Sequence, residues 1–201
     1  MTRFAKFAIL IALAAAGCST ARAPRFYFLS PSPVAAQPST SPYPVTILVG
    51  RLTAPRVLRD DRIIYGMTDV ELGVDGYHRW ADTPPEMLEQ ILTVRLRNSG
   101  EYKAVQRISS SARGDYILRG HLTSLNEMDT SAGITARFSL QLELFDPKSG
   151  TVVWTENFAQ DLPVEKKTVS AVVQALQKSV TAGIDKLTSD LSQYFAAKQS
   201  H

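Results

Sequence analysis

From Ile134 to Phe145 polar and apolar side chains alternate without a break. Phe138, Leu140, Leu142 and Leu144 fall on one side, Arg137, Ser139, Gln141 and Glu143 on the other. That is the pattern of a strand in a sheet with one wet face. Asp146-Pro147-Lys148-Ser149-Gly150 reads as a compact turn, and Thr151 to Gln160 as the returning strand. Upstream, Asp115 to Leu125 puts Tyr116, Leu118 and Leu122 on one face, and Tyr102 to Gln106 is a short strand. Together these read as an antiparallel meander. Nearer the N-terminus, Val45 to Leu52 is rich in β-branched residues and predicts a strand. Arg56 to Asp61 reads as a charged loop. Arg62 to Tyr65 and Asp69 to Val74 predict two short strands or one bulged strand, and Gly73, Asp75 and Gly76 mark a turn.

The period changes to that of a helix in two places. Thr83-Pro84-Pro85-Glu86 places a capping Thr, a Pro in the first turn and a Glu at the third position. Met87, Leu88, Ile91, Leu92, Val94 and Leu96 follow at helical spacing, and Asn98-Ser99-Gly100 stops the run. A longer helix is expected over about Val164 to Ala196. Its stripe is Val169, Val172, Val173, Leu176, Val180, Ile184, Leu187, Leu191 and Phe195. Either the stripe covers the sheet, or its distal part packs on another subunit. The whole predicts an α+β fold: a single domain, a mixed and mostly antiparallel sheet, and two amphipathic helices on one face.

The first residues follow another logic. Arg3 and Lys6 give a basic start, Phe7 to Ala16 is apolar, and Ala15, Ala16 and Gly17 lead into Cys18. This is the layout of a secretory signal peptide over residues 1–17. The uncharged run is short for a membrane span, which needs about 20 apolar residues. Residues 18–44 read as a tether. Six of the 11 prolines lie between Pro24 and Pro44, a composition that favours extended backbone. Within it, Arg25-Phe26-Tyr27-Phe28-Leu29 is aromatic and strand-like. It reads either as a first strand that docks on the domain or as a patch that meets a membrane or partner. The domain itself is expected over residues 45–197.

Composition narrows the function. Taking Arg3 and Lys6 from the 22 basic residues leaves 20 against 19 acidic ones. A near-neutral domain without a basic run gives no case for nucleic-acid binding. The hydrophobic share of 44% supports a real core. His78, His121 and His201 are scattered without metal-ligand spacing, and Cys18 is the sole cysteine. No phosphate loop or Gly-x-Ser-x-Gly elbow occurs. Asp60-Asp61 is flanked by Arg59 and Arg62, as in a solvated loop. Neither an enzyme nor a metal or cofactor site is expected.

Leu13-Ala14-Ala15-Ala16-Gly17-Cys18 resembles a bacterial lipobox. That resemblance implies cleavage before Cys18, a covalent lipid on its thiol, and acylation of the new amine. Ser19 resembles the outer-membrane default of Gram-negative lipoproteins. The chain also resembles the ABC-type transport auxiliary lipoproteins, the PqiC family. The likeness is carried in order by the lipobox, by Phe26-Tyr27-Phe28-Leu29 with Pro31, and by Val45 to Leu52 with Pro55. Arg62-Ile63-Ile64-Tyr65, Arg79-Trp80-Ala81 before a Pro-containing helix start, and the terminal helix complete it. The resemblance implies a non-catalytic accessory subunit of an MCE-type intermembrane lipid transport system, held at the periplasmic face of the outer membrane. MCE protein, transporter subunits and a homo-oligomer are the partners it points to. Phe26, Tyr27, Phe28, Tyr65 and Trp80 are candidate structural or partner-contact residues. A periplasmic lipid carrier and a lipoprotein regulator of cell-wall synthesis are the competing functions.

Overall fold

The computed structural model describes residues 23–30, 42–66, 70–109, 111–131 and 133–200. The leader, Cys18 and most of the proline-rich segment lie outside these residues. The strands are β1 (Arg25–Tyr27), β2 (Tyr43–Thr53), β3 (Arg62–Gly66), β4 (Leu72–Trp80), β5 (Tyr102–Arg107), β6 (Tyr116–Thr130), β7 (Gly133–Asp146) and β8 (Thr151–Pro163). The helices are α1 (Pro84–Asn98) and α2 (Val169–Gln199), with a 3-10 turn at Arg56–Arg59.

All eight strands form one mixed sheet. Its spine is the long hairpin of β6 and β7, in register from Ile117↔Phe145 to Thr130↔Gly133. The alternation seen in the sequence explains it. Phe138, Leu140, Leu142 and Leu144 are buried, and the intervening residues are half-buried on the other face. On that wet face Arg137 pairs with Asp161 of β8 at 2.8 Å, and Arg119 of β6 lies 3.6 Å from Glu143. β8 continues the meander antiparallel to β7.

The other edge of β6 carries two strands in succession. β2 runs parallel to its first half, from Ile47↔Tyr116 to Thr53↔His121. β3 pairs parallel with its far end at Glu127 and Met128. From β3 the sheet extends through β4, antiparallel, to β1, which lies parallel to β4.

Two expectations are corrected. Tyr102–Arg107 is not part of the meander; as β5 it pairs parallel with β2. Parallel neighbours need a crossover, and α1 supplies it, returning the chain across the sheet. Nor do Gly73, Asp75 and Gly76 make a turn: β4 continues through them. Its register with β3 slips between Arg62↔Arg79 and Ile64↔Val74, so the extra residues form a bulge. The Asp75 carboxylate accepts the backbone N–H groups of Tyr77 and His78, both at 2.7 Å, and holds the bulge.

Both helices lie on the same face of the sheet. α1 packs on β2 and β5, and α2 on β7 and β8. Thr83 caps α1, but its hydroxyl donates to the Glu86 carboxylate at 2.8 Å and makes no bond to the helix backbone. Past Asn98 the chain leaves the helix through Gly100 at φ 68°, a conformation natural to glycine. α2 starts later than expected. Thr168 is the cap, and its side chain accepts the Ala171 N–H.

The α2 stripe is consumed within the chain. Val172, Leu176, Val180, Ile184, Leu187, Leu191 and Phe195 are all buried. Phe195 meets the rings of Tyr43, Tyr102 and Tyr116 at 5.4–5.7 Å. Lys198 Nζ donates to Tyr116 Oη at 2.6 Å, and Gln199 bonds the Pro42 carbonyl at 2.6 Å. Of the two readings of the stripe, covering the sheet is the one observed.

The approach of α2 is close at Gly183. A Cβ there would stand 2.6 Å from Phe158 and 2.8 Å from Phe138. Gly→Ala in a helix ordinarily stabilises by about 1 kcal/mol. Overpacking two aromatic rings costs about 1–3 kcal/mol. Gly183→Ala should therefore destabilise the protein. A urea melt with an unchanged or higher midpoint would show that the helix can lift away freely.

Candidate functional site: the edge built on β1

β1 is an edge strand, and its residues alternate. Tyr27 packs on the core and Leu29, just beyond the strand, is buried. Phe26 and Phe28 point the other way and are 56% and 68% exposed. The docking expectation therefore holds for one face of the segment, and the other carries an aromatic pair in the open. Backbone bonds fix the strand: beyond the β4 ladder, Ala81 N–H donates to the Tyr27 carbonyl at 2.8 Å.

Trp80 is what β1 docks beside. It is the Cα partner of Tyr27, and its side chain is 1% exposed. The Trp80 backbone N–H donates to the Asp61 backbone carbonyl at 2.6 Å, which ties the end of β4 to the loop before β3. Tyr65 is half-buried in β3, and its ring lies across Gly73, where an added Cβ would come within 2.4 Å of it. Both residues are structural in geometry.

The exposed side of this edge carries a row of charge. Phe26 is level with Arg79, and Arg79 with Arg62. Arg79 pairs with Asp61 at 2.6 Å. Arg62 grips Asp60 through Nε at 3.2 Å and Nη2 at 2.9 Å. Asp60-Asp61 reads in the sequence as a solvated loop; in the structure both carboxylates are partly exposed and each is held in an ion pair, Asp60 by its neighbour Arg62 and Asp61 by the distant Arg79. At the bulge, His78 Nδ1 lies 3.0 Å from the Asp75 carboxylate, and its ring lies between those of Tyr27 and Tyr77. His121 is exposed and bonds Thr53 Oγ1 at 2.8 Å. Among the described residues no group of acidic, His or Cys side chains is placed to hold a metal.

These pairs make stability depend on acid. The bonds from Arg62 draw Asp60 down to about 2. Burial pushes Asp75 up, but the bonds from His78 and Tyr77 outweigh it and leave it low. Arg137 lowers Asp161 by its hydrogen bonds. A carboxyl depressed in the folded state stabilises fully above its unfolded value, about 3.9, and loses that contribution as pH falls through the folded value. Glu127 works the other way, since burial and Asp129 raise it. The urea midpoint should thus hold or rise slightly below neutrality, then fall between about pH 4 and pH 2. Asp60→Asn should flatten part of that acid limb; an unchanged slope would show that the Arg62 pair is not formed in solution.

Sequence reasoning missed one constellation. Glu89 lies on the buried side of α1, 5% exposed, and accepts the Leu52 N–H at 2.8 Å and Arg107 Nη2 at 3.0 Å. Leu52 sits where the β2–β6 register slips, so its N–H needs an acceptor from outside the ladder. The available signal was a lone acid among Met87, Leu88 and Leu92.

A mixed sheet with two helices on one face and an N-terminal strand at its edge defines a small α+β domain. The family model for the ABC-type transport auxiliary lipoprotein component matches residues 27–187, and the chain belongs to that family. Its family is thus one of auxiliary transport components, which work beside a transporter. No curated protein matches the chain. Among solved structures, protein XCC0632 of Xanthomonas campestris superposes with a TM-score of 0.74 at 22% identity, over 87% of this chain and 98% of that one. A second, described as an uncharacterized protein, gives 0.64 at 16%, over 85% and 99%. The protein CT253 of Chlamydia trachomatis gives 0.50 at 5%, over 77% and 99%. These likenesses establish the fold. Among the described residues no helix is long and apolar enough to cross a membrane.

Proposed function

We propose that the chain is a non-catalytic accessory lipoprotein of an ABC/MCE-type intermembrane lipid transport system, held by lipid on Cys18 to the periplasmic face of the outer membrane. The observation that carries this reading is the family match, which begins on β1 and runs through most of α2. The lipobox at Cys18 supplies the anchor, and Ser19 supports the outer membrane. One acyl chain binds a bilayer only reversibly, whereas the several chains of a processed lipobox hold for good. MCE protein and transporter subunits are the partners, and self-association is compatible with this role. The anchored domain gains effective concentration beside them.

A lipid carrier is less well supported. Among the described residues, cavities at Pro55–Met128, between the helices and beside Phe195 are about 270, 380 and 200 Å³ and open to solvent. The first two have polar as well as apolar walls, and none of the three is a closed apolar chamber that would shield acyl chains from water.

Cys18→Ala tests the anchoring. The folded domain should survive, leave the membrane fraction and fail to support transport in cells. Full transport by the soluble variant at native expression would defeat the reading.

A further inference from the structure

We infer that the face of β1 bearing Phe26 and Phe28 lies on the lipid surface that holds the anchor. This rests on the lipidation of Cys18 proposed above and adds an orientation to it. β1 is hydrogen-bonded into the sheet, so the chain from the anchor to the domain is residues 19–24 alone; residues 31–41 join β1 to β2 and add no reach. From Cys18 to Arg25 a fully extended chain spans about 25 Å. A spacer of that length keeps this edge within about 25 Å of the anchored lipid.

The chemistry of the edge fits that neighbour. Phe26 and Phe28 stand two residues apart on one side of a strand whose other side is fixed in the core. Two neighbouring exposed Phe rings form an apolar patch that water disfavours, and such a patch is favourable when buried at the headgroup/acyl boundary. Arg25, exposed at the start of the strand, brings positive charge to headgroup phosphates. The Arg62 and Arg79 row behind Arg25 is neutralised by Asp60 and Asp61, so the attraction is centred on the end of β1 nearest the anchor. The opposite sheet edge, β8, lies five strands away, about 24 Å further on.

The full lipidated chain in vesicles of phosphatidylethanolamine and phosphatidylglycerol tests this. Lipid consumes the Cys18 thiol, so Phe28→Cys creates a single reactive thiol for an environment-sensitive fluorophore; Val152→Cys, on exposed β8, is the reference. Nitroxide-bearing lipids should quench the label at position 28 several-fold more than at 152, and Phe26→Ser should reduce that quenching. Equal or absent quenching at 28, with the lipid mass present on Cys18, would overturn the contact and leave the anchor standing. A label at 28 that is shielded from water yet unquenched would overturn it in favour of a protein partner or a second copy. Loss of the lipid mass itself would overturn the anchor and the contact together.

Discussion

Trp80→Ala should cost about 3–5 kcal/mol, the usual penalty for emptying a fully buried aromatic site. The ring is 1% exposed and belongs to the main core. Against a total stability of about 5–15 kcal/mol, that is a large fraction. For a domain of this size the thermal midpoint should drop by about 6–20 °C. The damage should be greatest where β1 docks, because Tyr27 is level with Trp80 and, among the described residues, has no strand on its other side. Hydrogen exchange at Tyr27 and Ala81 should therefore accelerate more than exchange in β7. Trp80→Phe keeps a ring in place and should cost less. A loss below about 1 kcal/mol for Trp80→Ala would mean that Trp80 is not in the core.

Glu89→Leu should cost about 1–3 kcal/mol, and the reason is a backbone group. Leucine suits the buried side of α1, so a hydropathy argument alone expects a gain. The Leu52 N–H decides the sign: it has lost its place in the ladder at the register slip and would be left buried without an acceptor. Arg107 is half exposed and can return to water, so its lost pair adds little. Glu89→Gln keeps an acceptor and should cost clearly less than Glu89→Leu. Equal costs for the two, measured by urea unfolding, would place the effect in the charge and not in the Leu52 bond.

Much of this fold was legible because burial and period coincide. The alternation from Phe138 to Leu144 is one buried face, and the α2 stripe is one buried ridge. Thr83-Pro84-Pro85 placed the start of α1 correctly, although the Thr83 hydroxyl serves Glu86 and not the backbone. What escaped was non-local. Nothing within Tyr102–Arg107 says that its partner is β2, some fifty residues back, and not the neighbouring β6. Gly73, Asp75 and Gly76 have turn chemistry, and the same chemistry builds a bulge when β3 lies alongside. Glu89 was hidden because its use depends on a register slip in another strand.

The candidate site was half legible. Three aromatics in a row at Phe26-Tyr27-Phe28 marked the segment, and the sequence left docking and contact as rival readings. In the structure they are two faces of one strand: Tyr27 and Leu29 inward, Phe26 and Phe28 outward. The docked strand also changes the mechanics of the tether. With lipid on Cys18 as proposed, a spacer that reads as more than twenty residues long is reduced to six, because β1 is already paired into the sheet.

The proposed role is tested most directly by the company this chain keeps. Crosslinking in living cells, followed by recovery of the tagged, full-length protein from solubilised membranes and mass spectrometry of what comes with it, measures that. The expected result is an MCE protein and subunits of an ABC transporter, recovered with the native chain and lost or sharply reduced with Cys18→Ala. Recovery of neither, from cells that express both, would contradict the proposed role; a cell-wall synthase in their place would transfer the chain to the regulators of wall synthesis.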